Sequence, residues 1–303
     1  MAKLFLRPVG GFGARMIPLL QVMSAIERES SHSLVVCWPL HTTSGGGRAG
    51  STRERVFPLS VNDLYALDPT LTTTRETVHG AKAREFTHYP LKHTQNLDGK
   101  GKSPVHLSHH VNESFCIDAH GYFSLDPDRS NVLVTDAKEM GLLYREKFKL
   151  HPKQQDLYES LKKRMEGRPT VGVYLRQSKG ANYQVRGWNA TDSILPKMRH
   201  HYAKDSSTLF FVVSDEKPIL DRIVEEFGAD NVLMTPKPNI VNHPDEMLGV
   251  VVDIELMRHV DIYYPTWGSW LGKLMGLVRE GDGCENPLAW GFGHETIGQG
   301  LKD

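Results

Sequence analysis

Six residues, Thr170 to Leu175 (TVGVYL), form a β-rich apolar run with no polar alternation. That is the pattern of a strand covered on both faces, and it calls for a parallel sheet with helices on either side. The sequence that follows supplies one. A helix is expected near Asp192 to Tyr202, a strand over Thr208 to Val213, and a helix over Asp215 to Phe227 with Gly228 at its end. A strand over Asn231 to Met234, a helix over Asp245 to His259, a strand over Asp261 to Tyr264 and a helix over Gly268 to Arg279 complete the series. Strands alternating with helices mean a parallel sheet wrapped on both faces.

Ligands of such sheets bind just beyond the carboxyl ends of the strands. The residues there are Arg176, then Ser214-Asp215-Glu216, then Thr235-Pro236-Lys237, then Thr266-Trp267-Gly268-Ser269. A permanently charged guanidinium at a strand end points to an anion, phosphate above all. Gly268 and Ser269 open a helix, where backbone N–H groups and a hydroxyl can receive phosphate oxygens. Ser214, Asp215 and Ser269 taken singly are equally good helix N-caps. Four polar strand ends on one edge, with an arginine among them, favour an anion site.

The first half opens with an expected strand, Lys3 to Val9, a glycine turn (Gly10-Gly11-Phe12-Gly13-Ala14-Arg15-Met16) and a helix from about Ile17 to Glu29 with Pro18 in its first turn. A strand over Ser33 to Trp38 follows. A dinucleotide fingerprint would need a small residue at Met16 and an acid after the second strand, where Cys37-Trp38-Pro39 stands instead. The nicotinamide reading fails on both counts, leaving either a plain βα turn or a ligand loop at a helix N-terminus. Gly45 to Ser51 reads as a flexible surface loop. From Asp68 to Pro127 the periodicity is poor. Gln154 to Gly167 reads as a helix, and Pro169 follows it. The division is therefore placed near 166, giving an N-terminal domain of residues 1–166 and a C-terminal domain of residues 167–303, with the last residues free to pack back on the first.

At 303 residues the chain is long enough for two domains. Its zero formal net charge argues against a nucleic-acid binder driven by bulk charge. Three scattered cysteines fit a reducing compartment and offer neither a disulfide frame nor a zinc site. No apolar run is long enough to span a membrane, and MAKLFLRPV is broken too soon by Arg7 and Pro8 for a signal peptide. A cytoplasmic protein is expected, with the triplets at Asn112 and Asn189 chance matches. His106, His109, His110 and His120 lack ligand spacing, so no metal is expected. Asp126-Pro127-Asp128 reads as a turn.

Taken in order, GGFGARM, VGVYLRQ, FFVVSDE and DIELMRHVDIYYPTWGSW resemble the GDP-fucose-dependent superfamily of α1,6-, nodulation and protein O-fucosyltransferases. Its sequences carry a GGxGN[QR] loop, an HxR strand end, a TDD-like strand end and a final Asp/Ser/Thr block. This chain departs at Tyr174, where the motif histidine stands, at Gln177, the frequent second arginine, and at Ala14, the loop's usual Asn.

The resemblance implies a GT-B fold, two Rossmann-like domains facing across a cleft, and an inverting, metal-independent transfer of fucose from GDP-fucose to a glycan or other hydroxyl acceptor. It implies no cofactor beyond the GDP-sugar donor. Arg176 would hold the β-phosphate and stabilise the departing diphosphate. Ser269 and the Gly268 backbone would hold the same phosphates, with Tyr174, Asp215 and Thr266 in the donor site and Asp253 meeting the guanine or ribose. Gly11, Gly13 and Arg15 would close over the diphosphate from the other domain. No carboxylate identifies itself as the base for the acceptor. The alternative is a sugar-nucleotide- or glycan-binding protein of the same fold that has lost catalysis.

Overall fold

The computed structural model describes residues 2–9, 11–29, 32–38, 41–44, 53–56, 59–74, 87–91, 115–120, 137–176, 190–238, 243–266 and 269–284. They fall into two compact units that divide between Lys149 and Leu150.

The first unit holds strands β1 (Ala2–Val9), β2 (His32–Cys37), β3 (His41–Ser44), β4 (Arg53–Val56), β5 (Ala66–Leu67), β6 (Thr72–Thr74), β7 (Thr87–Leu91), β8 (Phe115–His120) and β9 (Phe148–Lys149). Its helices are α1 (Phe12–Glu29), α2 (Val61–Leu64) and α3 (Ala137–Lys147). Five of the strands form a sheet in the order β6-β2-β1-β8-β7, every neighbouring pair parallel. β8 and the two edge strands come from the stretch with poor periodicity. β6 is three threonines, and β7 carries Pro90, which an edge tolerates. Helix α1 starts at Phe12, so Gly13 to Met16 are helical, not part of a loop. Pro18 lies beyond the first turn, where its missing N–H leaves the Ala14 carbonyl without the usual i→i+4 donor. Phe12 of α1 stacks on Tyr65 and Tyr144 stacks on Phe148, while Tyr65 meets Tyr144 and Phe148 edge-on, with the Tyr65 and Tyr144 hydroxyls 2.8 Å apart.

The second unit holds α4 (Pro152–Lys163), β10 (Thr170–Leu175), α5 (Ala190–Lys204), β11 (Leu209–Ser214), α6 (Lys217–Phe227), β12 (Val232–Leu233), α7 (Pro244–Met257), β13 (Ile262–Tyr264) and α8 (Trp270–Gly281). Helix α4 belongs here because it packs on α7 and because the Tyr158 hydroxyl meets His259 Nε2 at 2.6 Å. The unit boundary thus precedes α4 instead of following it. The sheet order is β12-β11-β10-β13, all parallel.

The pleat sorts this unit's side chains. Val171, Val173 and Leu175 join Phe210, Val212 and Val232 in one apolar core with Ile194, Met198, Ile223 and Phe227. That is the α5/α6 face. Gly172 points the other way, and a Cβ there would run into Met257 and Val260 at the end of α7. With period two, Tyr174 shares that α7/α8 face, and Gly272 of α8 lies against its ring. At the amino end of β10, Asp261 accepts from Thr170 N and Oγ1 at 2.7 and 2.9 Å. The buried Arg279 guanidinium donates to the Met257 and Val260 carbonyls, at 2.9 and 2.6 Å. It supplies donors to the unpaired carbonyls at the end of α7.

Candidate functional site

Arg176 is the first residue past β10, and it is only half-buried, with a third (34%) of its side chain exposed. Its Nε lies 3.8 Å from Asp215 Oδ2, just past β11, whose side chain is 26% exposed. Asp215 is not the N-cap of α6, which is Glu216, because α6 begins at Lys217. Asp215 is thereby released to face the arginine. Ser214 does act locally, its hydroxyl accepting from Glu216 N at 3.2 Å.

The other side of Arg176 is built by β13 and α8. Ser269 is the N-cap of α8, yet its side chain makes no cap bond. Its hydroxyl donates to the Tyr174 hydroxyl at 3.3 Å. Burial raises the Tyr174 pKa, with Arg176 and Ser269 opposing in part, so the phenol stays neutral at neutral pH. Thr266 Oγ1 accepts from Arg176 N at 2.9 Å and donates to the Tyr174 carbonyl at 2.5 Å. Tyr263 fixes α8 by donating to the Gly272 carbonyl at 3.0 Å. One turn into α8, the Lys273 ammonium lies 4.1 Å from the Trp270 ring centre, and burial pushes it down to about 8. The result is a cation, two hydroxyls and a helix N-terminus around one strand end. An anion is the ligand such a corner suits.

Asp253 has a different setting. It lies one turn before Met257, the residue packed on Gly172, and so is level with Tyr174 in the sheet. The carboxylate is fully buried and paired with Lys237. Lys237, only 6% exposed, also sits 3.4 Å from Glu246. Gly249 makes room for it, since a Cβ there would stand 3.1 Å from the lysine stem. Burial lowers the Lys237 pKa, but the charges and hydrogen bonds of Asp253 and Glu246 together leave it raised. Asp253 Oδ1 and Thr235 Oγ1 are both buried without a hydrogen-bond partner among the described residues. Lys237 appeared in the sequence only as a residue after a strand. Its pairing with Asp253 spans 16 positions and a helix, and no motif spacing announces it.

In the first unit, Gly11 precedes α1 and its carbonyl accepts from Arg15 N at 3.1 Å. Gly13 is inside the helix and buried. Arg15 is fully buried, its guanidinium 5.1 Å from the Trp38 ring centre, and burial lowers its pKa to about 9. It belongs to helix α1 and not to a surface loop. Gly268 and Gln177 lie outside the described residues, as do Asp126 to Asp128, His106, His109 and His110. Among the described residues no three His, Cys, Asp or Glu side chains cluster as metal ligands.

Neither a protein-family model nor a curated protein sequence matches the chain. Solved structures do. NodZ alpha-1,6-fucosyltransferase soaked with GDP-fucose aligns at a TM-score of 0.57 and 14% identity, over 92% of this chain and 93% of that one. Fucosyltransferase NodZ from Bradyrhizobium gives 0.55 at 14% identity, over 92% and 94%. POFUT1 in complex with GDP gives 0.50 at 13% identity, over 94% and 96%. The fold is GT-B. At this identity the likeness is one of architecture, and it covers nearly the whole chain.

Proposed function

We propose that the chain is a glycosyltransferase that moves fucose from GDP-fucose to a hydroxyl acceptor, inverting the anomeric carbon and using no metal ion. The observation that carries the reading is the corner at the end of β10. There Arg176, Tyr174 and Ser269 meet the N-terminus of α8, in a chain with the fold of NodZ and POFUT1. As the acceptor oxygen bonds to the anomeric carbon, the bond from that carbon to the β-phosphate oxygen breaks. Its electrons pass to the departing diphosphate. Arg176 and the α8 N–H groups receive that charge in place of a cation. Asp215 stands against the guanidinium and therefore on the leaving-group side. A base for the acceptor must lie across the sugar, so Asp215 serves to orient Arg176. No helix among the described residues is long and apolar enough to cross a membrane, and we place the reaction in the cytoplasm on the cysteine pattern alone.

A second reading, binding without transfer, draws on the substitutions at Tyr174 and Gln177, the first of which places a buried phenol beside Ser269 where the family has its motif histidine. Two measurements decide between these. GDP at about 100 times its Kd should stabilise the protein by about 2.7 kcal/mol, where no shift with GDP removes both readings. With GDP-fucose and a glycan panel, Arg176→Ala should lower kcat by roughly 10²–10³. Equal turnover by Arg176→Ala would overturn the clamp, and GDP binding without any transfer by the wild type would establish the binding-only protein.

A further inference from the structure

The ladder between β10 and β13 stops at Val173 and Tyr264, whereas that between β10 and β11 runs on to Leu175 and Ser214. At Tyr174 and Leu175 the strand is therefore laddered to β11 and no longer to β13. On the open side stands a side-chain oxygen. Thr266 Oγ1 accepts from Arg176 N at 2.9 Å and donates to the Tyr174 carbonyl at 2.5 Å. One hydroxyl thus replaces the next rung of the ladder, satisfying a donor and an acceptor that a missing strand would otherwise leave buried. Its only proton is given to Tyr174, so Thr266 has none to offer a phosphate oxygen, and the residue is almost wholly buried. It fits a support better than a ligand contact.

We propose that Thr266 is the positioning residue of the anion clamp: its hydroxyl fixes where the chain leaves β10 and hence where the Arg176 guanidinium points. The inference rests on reading the end of β10 as a diphosphate site. The same corner ties the two halves of that site together. Gly272 sits so close that a Cβ would stand 3.1 Å from the Tyr174 ring, 3.4 Å from Pro265 and 3.5 Å from the Thr266 carbonyl. Thr266 therefore holds the arginine in register with the N-terminus of α8. An arginine that keeps its charge but loses that register still attracts an anion, and it no longer meets it together with the helix. Misplacement of about 1 Å at a reacting centre costs on the order of 10²-fold in rate.

The test is titration of the full chain with inorganic pyrophosphate and with GDP, beside kcat and KM for the donor. Thr266→Val keeps the shape and loses both hydrogen bonds, whereas Thr266→Ser keeps them. Valine should weaken pyrophosphate and GDP at least tenfold and lower kcat more than it raises KM, with serine within threefold of wild type throughout. A purely structural threonine would lower Tm and leave the affinity of the folded protein unchanged, and that result overturns the inference. Should the valine variant fail to fold, Thr266→Ala carries the same comparison with serine. A wild type that binds neither pyrophosphate nor GDP overturns the transferase reading itself. A wild type that binds both, beside a folded valine variant that binds them equally well, overturns only the role of Thr266.

Discussion

Arg15 in the first unit and Lys237 in the second are both cations taken out of water, and they respond in opposite directions. Burial lowers Arg15 to about 9. Burial also pulls Lys237 down, yet Asp253 and Glu246 leave it raised. The difference lies in the company each keeps. At Arg15, which lies over the face of Trp38, desolvation is the cause that sets the shift. Lys237 lies between two carboxylates that are themselves nearly or fully buried. Removing a partner from such a set exposes the others to the full cost of desolvation. Burial alone therefore says little about what a charged residue contributes. The unit with paired carboxylates is also the one whose sheet edge presents Arg176, Tyr174 and Ser269.

The largest effect expected from this contrast is at Lys237. Lys237→Met should cost about 3–5 kcal/mol in urea denaturation, because Asp253 and Glu246 would remain buried without their cation. The pH dependence has a definite sign. The folded state holds Lys237 above the ordinary lysine value of about 10.4. Its contribution is complete below that pH and fades as pH rises through the raised value, so the methionine variant should lack this part of the alkaline loss. A loss under 1 kcal/mol would show that the carboxylates find other partners and would break the contrast.

How much of this was visible in the sequence depended on whether the signal was local. Thr170 to Leu175 fills β10 end to end, since a strand buried on both faces leaves an unbroken apolar run. The helices beyond it began and ended within a few residues of their expected places, for Gly228, Pro218 and the apolar stripes act over one turn. That Arg176, Asp215 and Ser269 share one edge is legible from the strand ends, whereas the pairing of Arg176 with Asp215 and of Ser269 with Tyr174 is not. What stayed hidden needed distance. β6, β7 and β8 owe their places to neighbours far along the chain, and their own threonines, prolines and histidines carry no period. The glycine turn favours a longer loop because Gly13 and Pro18 are poor helix formers, and the packing of α1 overrides both. That same packing turned Arg15, expected on a donor loop, into an interior residue.

The effect next in size is at Arg15 itself. Arg15→Met retains most of the side-chain volume and removes the buried charge. The loss of stability should be smaller than for Lys237→Met, since burial is the cause that lowers the Arg15 value and Met removes the desolvated charge. GDP affinity should be unchanged, because the guanidinium is buried and lies over the Trp38 ring. A loss as large as that of Lys237→Met would mean that Arg15 is held by partners as strong as Asp253. A selective loss of GDP binding at full stability would instead return Arg15 to the donor site.

The smallest effect is at Thr235, on the same edge as Lys237. Its hydroxyl is buried and has no hydrogen-bond partner among the described residues. An unpaired buried hydroxyl costs about 1–3 kcal/mol in desolvation, and valine keeps the branched shape without it. Thr235→Val should therefore leave stability unchanged or raise it by up to about 1 kcal/mol, read as a small upward shift of the urea midpoint at constant slope. The direction discriminates. A drop of more than 1 kcal/mol would mean that the hydroxyl is satisfied by an ordered water, and the same water could then serve the unpaired Oδ1 of Asp253. In that case the carboxylate set around Lys237 is larger than the three side chains, and the contrast with Arg15 is one of hydration as well as charge.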